Sequence, residues 1–506
     1  MSSLPIDVAQ PNADPGFDPG AKAGDDPLRA VEDAAFWLQT YRQSTPQDPV
    51  RVFQVVDRVD DLTQPHRLAV MHEYLGAGGR MQTYREYRLW RAATTYAREL
   101  ADAYQFALRT TEQSGKARPR NLLPTVAARC MRAHTLELRW ALLRYSAVED
   151  ELWHRMGALF GECETLDIAT LQFKVYPGMA GNSTVRREYL RALILSVSAM
   201  GNLLPTSQVI AERVIAHVAE FFLLARQSKS GCHFAVDLQA SRPPYRISEG
   251  ITPTRSVRFF GPGDASVIVE GLRRQAVAAR SIPPELGLSP EFELEAFLEV
   301  LQHLTRHWDA QPPGRGEVRQ RVLATMHVAY GFDRVTAAIG LEPGAQTLEE
   351  VTEAWTAENE SSGGFGALLP VRDEDWLAVG RIIAAKPDWP AGWSVGVVRR
   401  VTARSPLHRS VGVQVLARGG MVVQLTSLPR DESAPPIDAV LLPVESQTNA
   451  SGPEIAVVLP KGMTAQLDTC EMLVHGRPYV LSRGRIVESG VDFEITRFAI
   501  RAALLR

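Results

Sequence analysis

The chain has 506 residues, of which 45% are hydrophobic and 22% charged, and its formal net charge at pH 7 is −3. This balance predicts a soluble protein of about three to five domains, and it excludes a globally basic nucleic-acid-binding protein. No run of about 18 apolar residues occurs, which excludes a membrane-spanning helix, and four scattered cysteines without a CxxC pair or a basic leader favour a reduced, cytoplasmic protein.

The first half of the chain predicts helices. Residues 1–27 are rich in Pro, Gly and Asp and predict a disordered tail. Apolar residues then recur at three- and four-residue intervals between short loops, which predicts an all-α, repeat-like arrangement of paired antiparallel helices. Asn182 or Ser183 is the expected N-cap of one of them. The predicted helices span about 48–74, 83–114, 124–144, 146–162, 184–201 and 206–227.

Beyond Gly231 the pattern becomes mixed and then β-rich. Strands are predicted at 232–238 and 256–260, and helices at about 264–280 and 291–308. A Pro/Gly linker at 312–314 precedes further strands, which predicts a small barrel or sandwich. These strands are predicted at 395–401, 410–416, 421–426, 437–443, 455–459 and 478–482.

The predicted fold class is therefore multidomain α+β, with a helical N-terminal half, a mixed middle segment and a β-rich C-terminal part. Five segments follow from these changes of pattern: a tail at 1–27, a helical domain at 28–228, a mixed segment at 229–311, a barrel at 312–418 and a further β-rich segment at 419–506.

Two groups of residues stand out as candidates for binding an anion. Arg315 and Arg319 lie four apart just after the linker, where two guanidinium groups can close on one anionic ligand, and Arg321 follows. Asn359, Ser361 and Gly364 belong to a polar, glycine-rich turn between predicted strands, which offers short hydrogen-bonding groups and close backbone approach.

In this order, and with the strands at 395–398 and 411–415 after them, these motifs resemble the PilZ domain, the bacterial receptor module for cyclic di-GMP. That family carries RxxxR before a β-barrel and then [D/N]xSxxG. Arg315 and Arg319 match the first motif, and Asn359, Ser361 and Gly364 the second. The resemblance covers roughly 100 residues and implies a PilZ-like barrel that binds cyclic di-GMP.

Two departures from the family pattern leave an alternative open. The 40 residues from Arg319 to Asn359 are a longer gap than the family suggests. If Arg321 ends the arginine motif, the residue four before it is Glu317, and the barrel would then be degenerate.

Independently of the resemblance, residues 389–430 contain no Asp or Glu but six arginines. Such a stretch creates a local positive field. Arg399 and Arg400 are therefore further candidates for contacting phosphate or guanine, since Arg binds guanine O6 and N7 with two hydrogen bonds. The alternative is a solvated basic edge, and the facing of Arg399 or Arg400 relative to Arg315 and Arg319 distinguishes the two.

No nucleophile–base motif, phosphate-binding loop or metal-ligand set is recognisable, so the sequence predicts a protein that is not an enzyme and needs no cofactor or metal. The predicted function is a cytoplasmic cyclic di-GMP receptor that changes its interdomain geometry on binding and acts on a protein partner through its helical half. The layout resembles proteobacterial proteins linked to type IV pili and surface attachment. The alternative is an adaptor whose degenerate barrel only mediates protein contacts.

Overall fold

The structure, a computed structural model, describes residues 26–503 except for short internal segments, and it confirms the predicted multidomain α+β class. The predicted tail, apart from its last residues, and the Pro/Gly linker lie outside the described residues. The segments left out are 44–47, 77–82, 114–121, 177–180, 248–253, 289, 312–318, 341–350, 372–376, 388–391, 406, 429–434, 444–447, 450–451 and 475–476.

The N-terminal half consists of packed helices, as predicted. Asp26 caps the first helix by accepting a hydrogen bond from the backbone N–H of Leu28 at 3.0 Å. Helix α4 is buried along most of its length, and α3 and α6 pack against it. The helices are α1 Pro27–Arg42, α2 Pro49–Gly76, α3 Thr83–Gln113, α4 Leu123–Leu143, α5 Asp150–Thr165, α6 Val185–Val197 and α7 Pro205–Val218.

Two details of this half differ from the predictions. The N-cap of α6 is Thr184, whose side chain accepts from Arg187 N, while Ser183 is used in a hydrogen bond to Glu188. Helix α7 ends at Val218, well before the predicted end at 227, and Leu223–Ala225 forms a strand. Leu223–Ala225 is a strand because its backbone pairs with a strand later in the chain, and local propensity does not reveal such a long-range contact.

The middle segment is a small antiparallel sheet with two helices beside it. Its strands lie in the order β1-β4-β2-β3. Helix α9 packs on α7, and Arg246 donates to the carbonyl oxygens at the C-terminal end of α9. The elements are β1 Leu223–Ala225, β2 Phe234–Asp237, β3 Tyr245–Arg246, β4 Val257–Gly261, α8 Ala265–Ala279 and α9 Leu294–Trp308.

The next part is a closed barrel of antiparallel strands in the order β10-β7-β6-β5-β8-β9. Helix α10, Phe332–Gly340, connects β5 to β6 and lies outside the barrel. This helix accounts for the long gap between Arg319 and Asn359. The strands are β5 Gln320–Tyr330, β6 Glu353–Ser361, β7 Gly364–Pro370, β8 Ile382–Pro387, β9 Ser394–Ser405 and β10 His408–Arg418.

The C-terminal segment forms a second barrel, which is more than the predicted β-rich segment. Its strands lie in the order β12-β11-β15-β16-β17-β14, and pairing of β12 with β14 closes the ring. When the six main strands of each barrel are numbered along the chain, every strand has the same two neighbours in both barrels. The strands are β11 Met421–Ser427, β12 Ile437–Leu442, β13 Thr448–Asn449, β14 Gly452–Pro460, β15 Thr469–Val474, β16 Arg477–Ser489 and β17 Phe493–Ala503, with β13 a short addition to β14.

The helical half packs directly on the first barrel, and one continuous cluster of buried apolar residues includes both. A Cβ on Gly201, in the turn before α7, would lie 2.4 Å from the carbonyl oxygen of Val401 in β9. The two parts therefore touch at backbone distance, and β9 is the strand that makes this contact.

Charged groups are also buried where the two parts meet. Glu86 of α3 is 6% exposed. Burial raises the pKa of its carboxyl to about 7, although Arg144 of the helical half and Arg381 of the barrel favour the charged form. This pKa is raised above its ordinary value of 4.5. The contribution of the protonated Glu86 carboxyl to the free energy of unfolding is therefore complete below pH 4.5 and is lost as the pH rises towards 7.

We expect Glu86→Gln to remove this loss, because the amide stays neutral at every pH. At about 1.4 kcal/mol for each pH unit, the variant should exceed the wild type at pH 8 by roughly 3 kcal/mol and match it at about pH 4. Urea unfolding at the two pH values measures the difference. Glu32→Gln, which removes an exposed ion pair with Arg88, is the control and should show no such trend. Equal pH dependence in wild type and Glu86→Gln would contradict this account.

In the described part of the chain, no helix is long and apolar enough to cross a membrane. Within the same ranges, no three His, Cys, Asp or Glu side chains form a group that could hold a metal ion. The four cysteines are all described, and all are free.

Candidate functional site

The two predicted motifs meet on the outer surface of the first barrel. Arg319 immediately precedes β5, and its guanidinium donates to Oδ1 of Asn359 at 2.7 Å. Arg321, two residues further on, lies directly opposite Asn359 in the pairing of β5 with β6. Arg319 and Arg321, the two alternative ends of the arginine motif, therefore both lie beside Asn359.

A register shift in β6 is what turns Asn359 outward. Trp355 and Ala357 are buried inside the barrel, and strict alternation would point Asn359 inward as well. Between Ala357 and Asn359, however, β6 contains one residue, Glu358, that no residue of β7 opposes. Such a bulge re-aims the side chain that follows it. The Asn359 amide accordingly lies over Gly366, where an added Cβ would be 2.8 Å from its Oδ1 and Nδ2.

A second bulge brings Arg400 to the same level from the other side. In the pairing of β9 with β10, Val398 faces Val413 and Arg400 faces Gly412, so that Arg399 is unopposed. Both arginines are exposed as a result. A Cβ on Gly412 would lie 3.6 Å from Nε of Arg400, which places the Arg400 side chain over that glycine.

These pairings form one continuous row across five strands. Arg321 pairs with Asn359, Asn359 with Gly366, Gly366 with Gly412, and Gly412 with Arg400. Because five of the six strands of the closed barrel carry the row, it curves around most of the barrel, over about 19 Å along the surface at about 4.8 Å between neighbouring strands. We call it the glycine row: its two glycines are buried, Gly366 under the Asn359 amide and Gly412 under the Arg400 side chain.

Four predicted site residues remain: Arg315, Ser361, Gly364 and Arg399. Arg315 lies outside the described residues. Ser361 is two residues beyond Asn359 on the same outward side, and its hydroxyl donates to the carbonyl oxygen of Gly364 at 3.3 Å. Arg399 is not part of the glycine row: its guanidinium contacts Gln414 at 2.8 Å and Glu488 of the second barrel at 2.7 Å.

Gly364 is the first residue of β7 and does not lie in the turn where the sequence places it, because only Ser362 and Gly363 connect the strands. A Cβ there would lie 2.1 Å from the carbonyl oxygen of Val413. Glycine at this position therefore allows β7 to approach β10.

Sequence reasoning did not single out Gly366 and Gly412, which lie within the candidate site. Glycine inside a strand often marks close approach by a ligand or another backbone, so each was a visible but weak signal. Their pairing depends on register, which the sequence does not reveal.

The second barrel has a different surface at the corresponding level. Gly412 lies four residues after the first residue of β10, and Arg497 lies four after the first residue of β17. Arg497 faces Ala456, which faces Leu442, where the first barrel has Gly412, Gly366 and Asn359. A charged side chain and an apolar pair thus replace the two glycines and the asparagine, and Leu442 packs in the apolar contact between the barrels.

A comparison with known protein families matches the helical half. Residues 23–228 are similar to a family described as the N-terminal domain of the cyclic-di-GMP receptor FimW. The match spans α1 to α7 and ends before the barrels. Searches of curated proteins and of solved structures found no match to the chain.

Proposed function

We propose that this chain is a receptor for cyclic di-GMP and that the nucleotide binds across the glycine row of the first barrel. The observation that carries the proposal is the hydrogen bond from Arg319 to Asn359, with Arg321 directly opposite that asparagine and Arg400 in the same row over Gly412. The similarity of the helical half to a domain of a cyclic-di-GMP receptor supports it independently.

The chemistry of the row suits this ligand. Cyclic di-GMP presents two phosphates and two guanines, and guanidinium groups can hold phosphate or guanine O6 and N7 with two hydrogen bonds each or stack on a base. Arg319 and Arg321 would hold one side of the nucleotide and Arg400 the other. Arg315, four residues before Arg319, would add a further contact. Asn359 and Ser361 supply neutral hydrogen-bonding groups between them.

The position of β9 supports a signal from the nucleotide to the helical half. Arg400 borders the glycine row, and the next residue, Val401, contacts Gly201 of the helical half through its carbonyl oxygen. A ligand that shifts Arg400 would act one residue from this contact. The helical half would then present a changed surface to a protein partner. The resemblance in layout favours an output in surface attachment or type IV pilus function.

Calorimetric titration of the full chain tests the proposal. Wild type should bind cyclic di-GMP, and neither GMP nor cyclic di-AMP should compete. Arg400→Ala should weaken binding about tenfold, because one charge-assisted contact is lost. Arg404→Ala is the matched control: it removes the same charge from the same strand, about 13 Å away, and should keep wild-type affinity.

Absence of binding by the wild type would contradict the proposal and favour the adaptor alternative. Equal losses in Arg400→Ala and Arg404→Ala would show attraction to general positive charge, and the glycine row would then not be the site.

A further inference from the structure

Arg399 joins the glycine row to the second barrel. It is the unopposed residue of the β9 bulge and directly precedes Arg400. Its Nε donates to Oε1 of Gln414 at 2.8 Å, and its other guanidinium nitrogen lies 2.7 Å from Oε1 of Glu488 in β16. Since two residues of the bulge occupy the space of one, the anchoring of Arg399 affects how Arg400 is presented.

Glu488 lies near the end of β16, just before the β16–β17 turn. Hydrogen bonds fix this turn to the first barrel. The carboxylate of Asp492 accepts from the backbone N–H groups of Phe332 and Ile382 at 3.1 Å each. Val491 N donates to the carbonyl oxygen of Gly380 at 2.9 Å. An apolar cluster that includes Phe493 and Ile495 completes the contact.

We infer that Glu488, a residue of the second barrel, is a positioning residue for nucleotide binding by the first. It holds Arg399 and thereby keeps the β9 bulge in the form that lays Arg400 over Gly412. This inference rests on the proposed function. It also gives the second barrel a role, because its own corresponding surface lacks the two glycines.

The opposite arrangement makes an opposite prediction. If Arg399 contacts the nucleotide directly, Glu488 competes with the ligand for it, and removing the acid should tighten binding. If Glu488 positions the bulge, removing it should weaken binding. The sign of the change therefore decides between the two.

The test compares Glu488→Gln, Glu488→Asp and Asp468→Asn in the full chain by titration with cyclic di-GMP. We expect Glu488→Gln to bind about twofold to fivefold more weakly, as for a partly exposed ion pair, and Glu488→Asp to recover part of the loss. Asp468→Asn removes an exposed ion pair with Arg483 in the same barrel and should leave the affinity unchanged.

Two further measurements separate positioning from a general structural effect. In an Arg399→Ala background, Glu488→Gln should cause no additional loss, because the acid acts only through the arginine. In the ligand-free protein, Glu488→Gln should speed hydrogen exchange in β9 around residues 398–401.

Tighter or unchanged binding by Glu488→Gln, additive losses, or unchanged exchange would each overturn the inference while leaving the proposed function intact. If the wild type binds no cyclic di-GMP, the proposed function fails and the inferred role in binding fails with it. The exchange measurement then reports only whether Glu488 holds β9.

Discussion

Replacing Arg319 with alanine should reduce the affinity for cyclic di-GMP about tenfold to a hundredfold. The guanidinium would make a charge-assisted contact to phosphate or guanine, whose loss costs about 1.5–3 kcal/mol. The residue is exposed and its hydrogen bond to Asn359 lies at the surface, so folding should be little affected. Calorimetry gives the affinity, and thermal unfolding checks the fold.

Two variants sharpen this test. Arg319→Lys keeps the charge but loses the planar, two-pronged donor, and should fall between wild type and alanine. Arg321→Ala determines the phasing of the motif, since Arg321 lies opposite the same asparagine. A folded Arg319→Ala protein with wild-type affinity would eliminate Arg319 from the site.

Adding a side chain to the glycine row should reduce the affinity for cyclic di-GMP by a comparable or larger factor. In Gly412→Val the added side chain would occupy the space over β10 and displace Arg400, whose Cβ and Nε would be 3.4 and 3.6 Å from the new Cβ. We expect at least a tenfold loss of affinity, because a blocked surface and a displaced arginine combine. The fold should tolerate the change, since the new Cβ would meet both atoms at ordinary contact distance and valine suits a strand.

A graded series provides the control. Gly412→Ala places its Cβ at ordinary contact distance and should cause a smaller loss than valine. Unfolding temperatures close to that of the wild type would show that the barrel is intact. If Gly412→Val folds normally and binds with unchanged affinity, the nucleotide does not lie on the glycine row.

The helices were predictable because apolar spacing is a local property. The helix predicted at 83–114 is found at Thr83–Gln113, and the one predicted at 264–280 at Ala265–Ala279. Where a distant strand decides the structure, local reasoning fails. Leu223–Ala225 continues an apolar helical pattern, yet it pairs with β4.

The first barrel was predicted as a barrel, whereas the second was predicted only as a β-rich segment. Residues 469–474 and 493–503 were not predicted as strands, although β15 and β17 are needed to close the second barrel. Each alternates polar and apolar residues over only its first four positions, which is a short signal for a strand.

The candidate site was predictable in its residue types and not in its geometry. Arg321, Asn359 and Arg400 were found from motifs and charge. Their meeting on one row depends on the bulges at Glu358 and Arg399, and the outcome for Arg399 depends on Glu488, 89 residues further along the chain. A one-residue shift of register reverses the facing of every side chain in a strand, so no sequence pattern settles these positions.

Hydrogen exchange of the full chain with and without cyclic di-GMP tests the central claim most directly, because it reports where the nucleotide binds. The account predicts protection in peptides that contain Arg319–Arg321, Asn359–Gly366 and the β9–β10 pair around Arg400 and Gly412. The second barrel should change only near Glu488. Protection confined to the helical half, or to the face of the second barrel around Arg497, would contradict it.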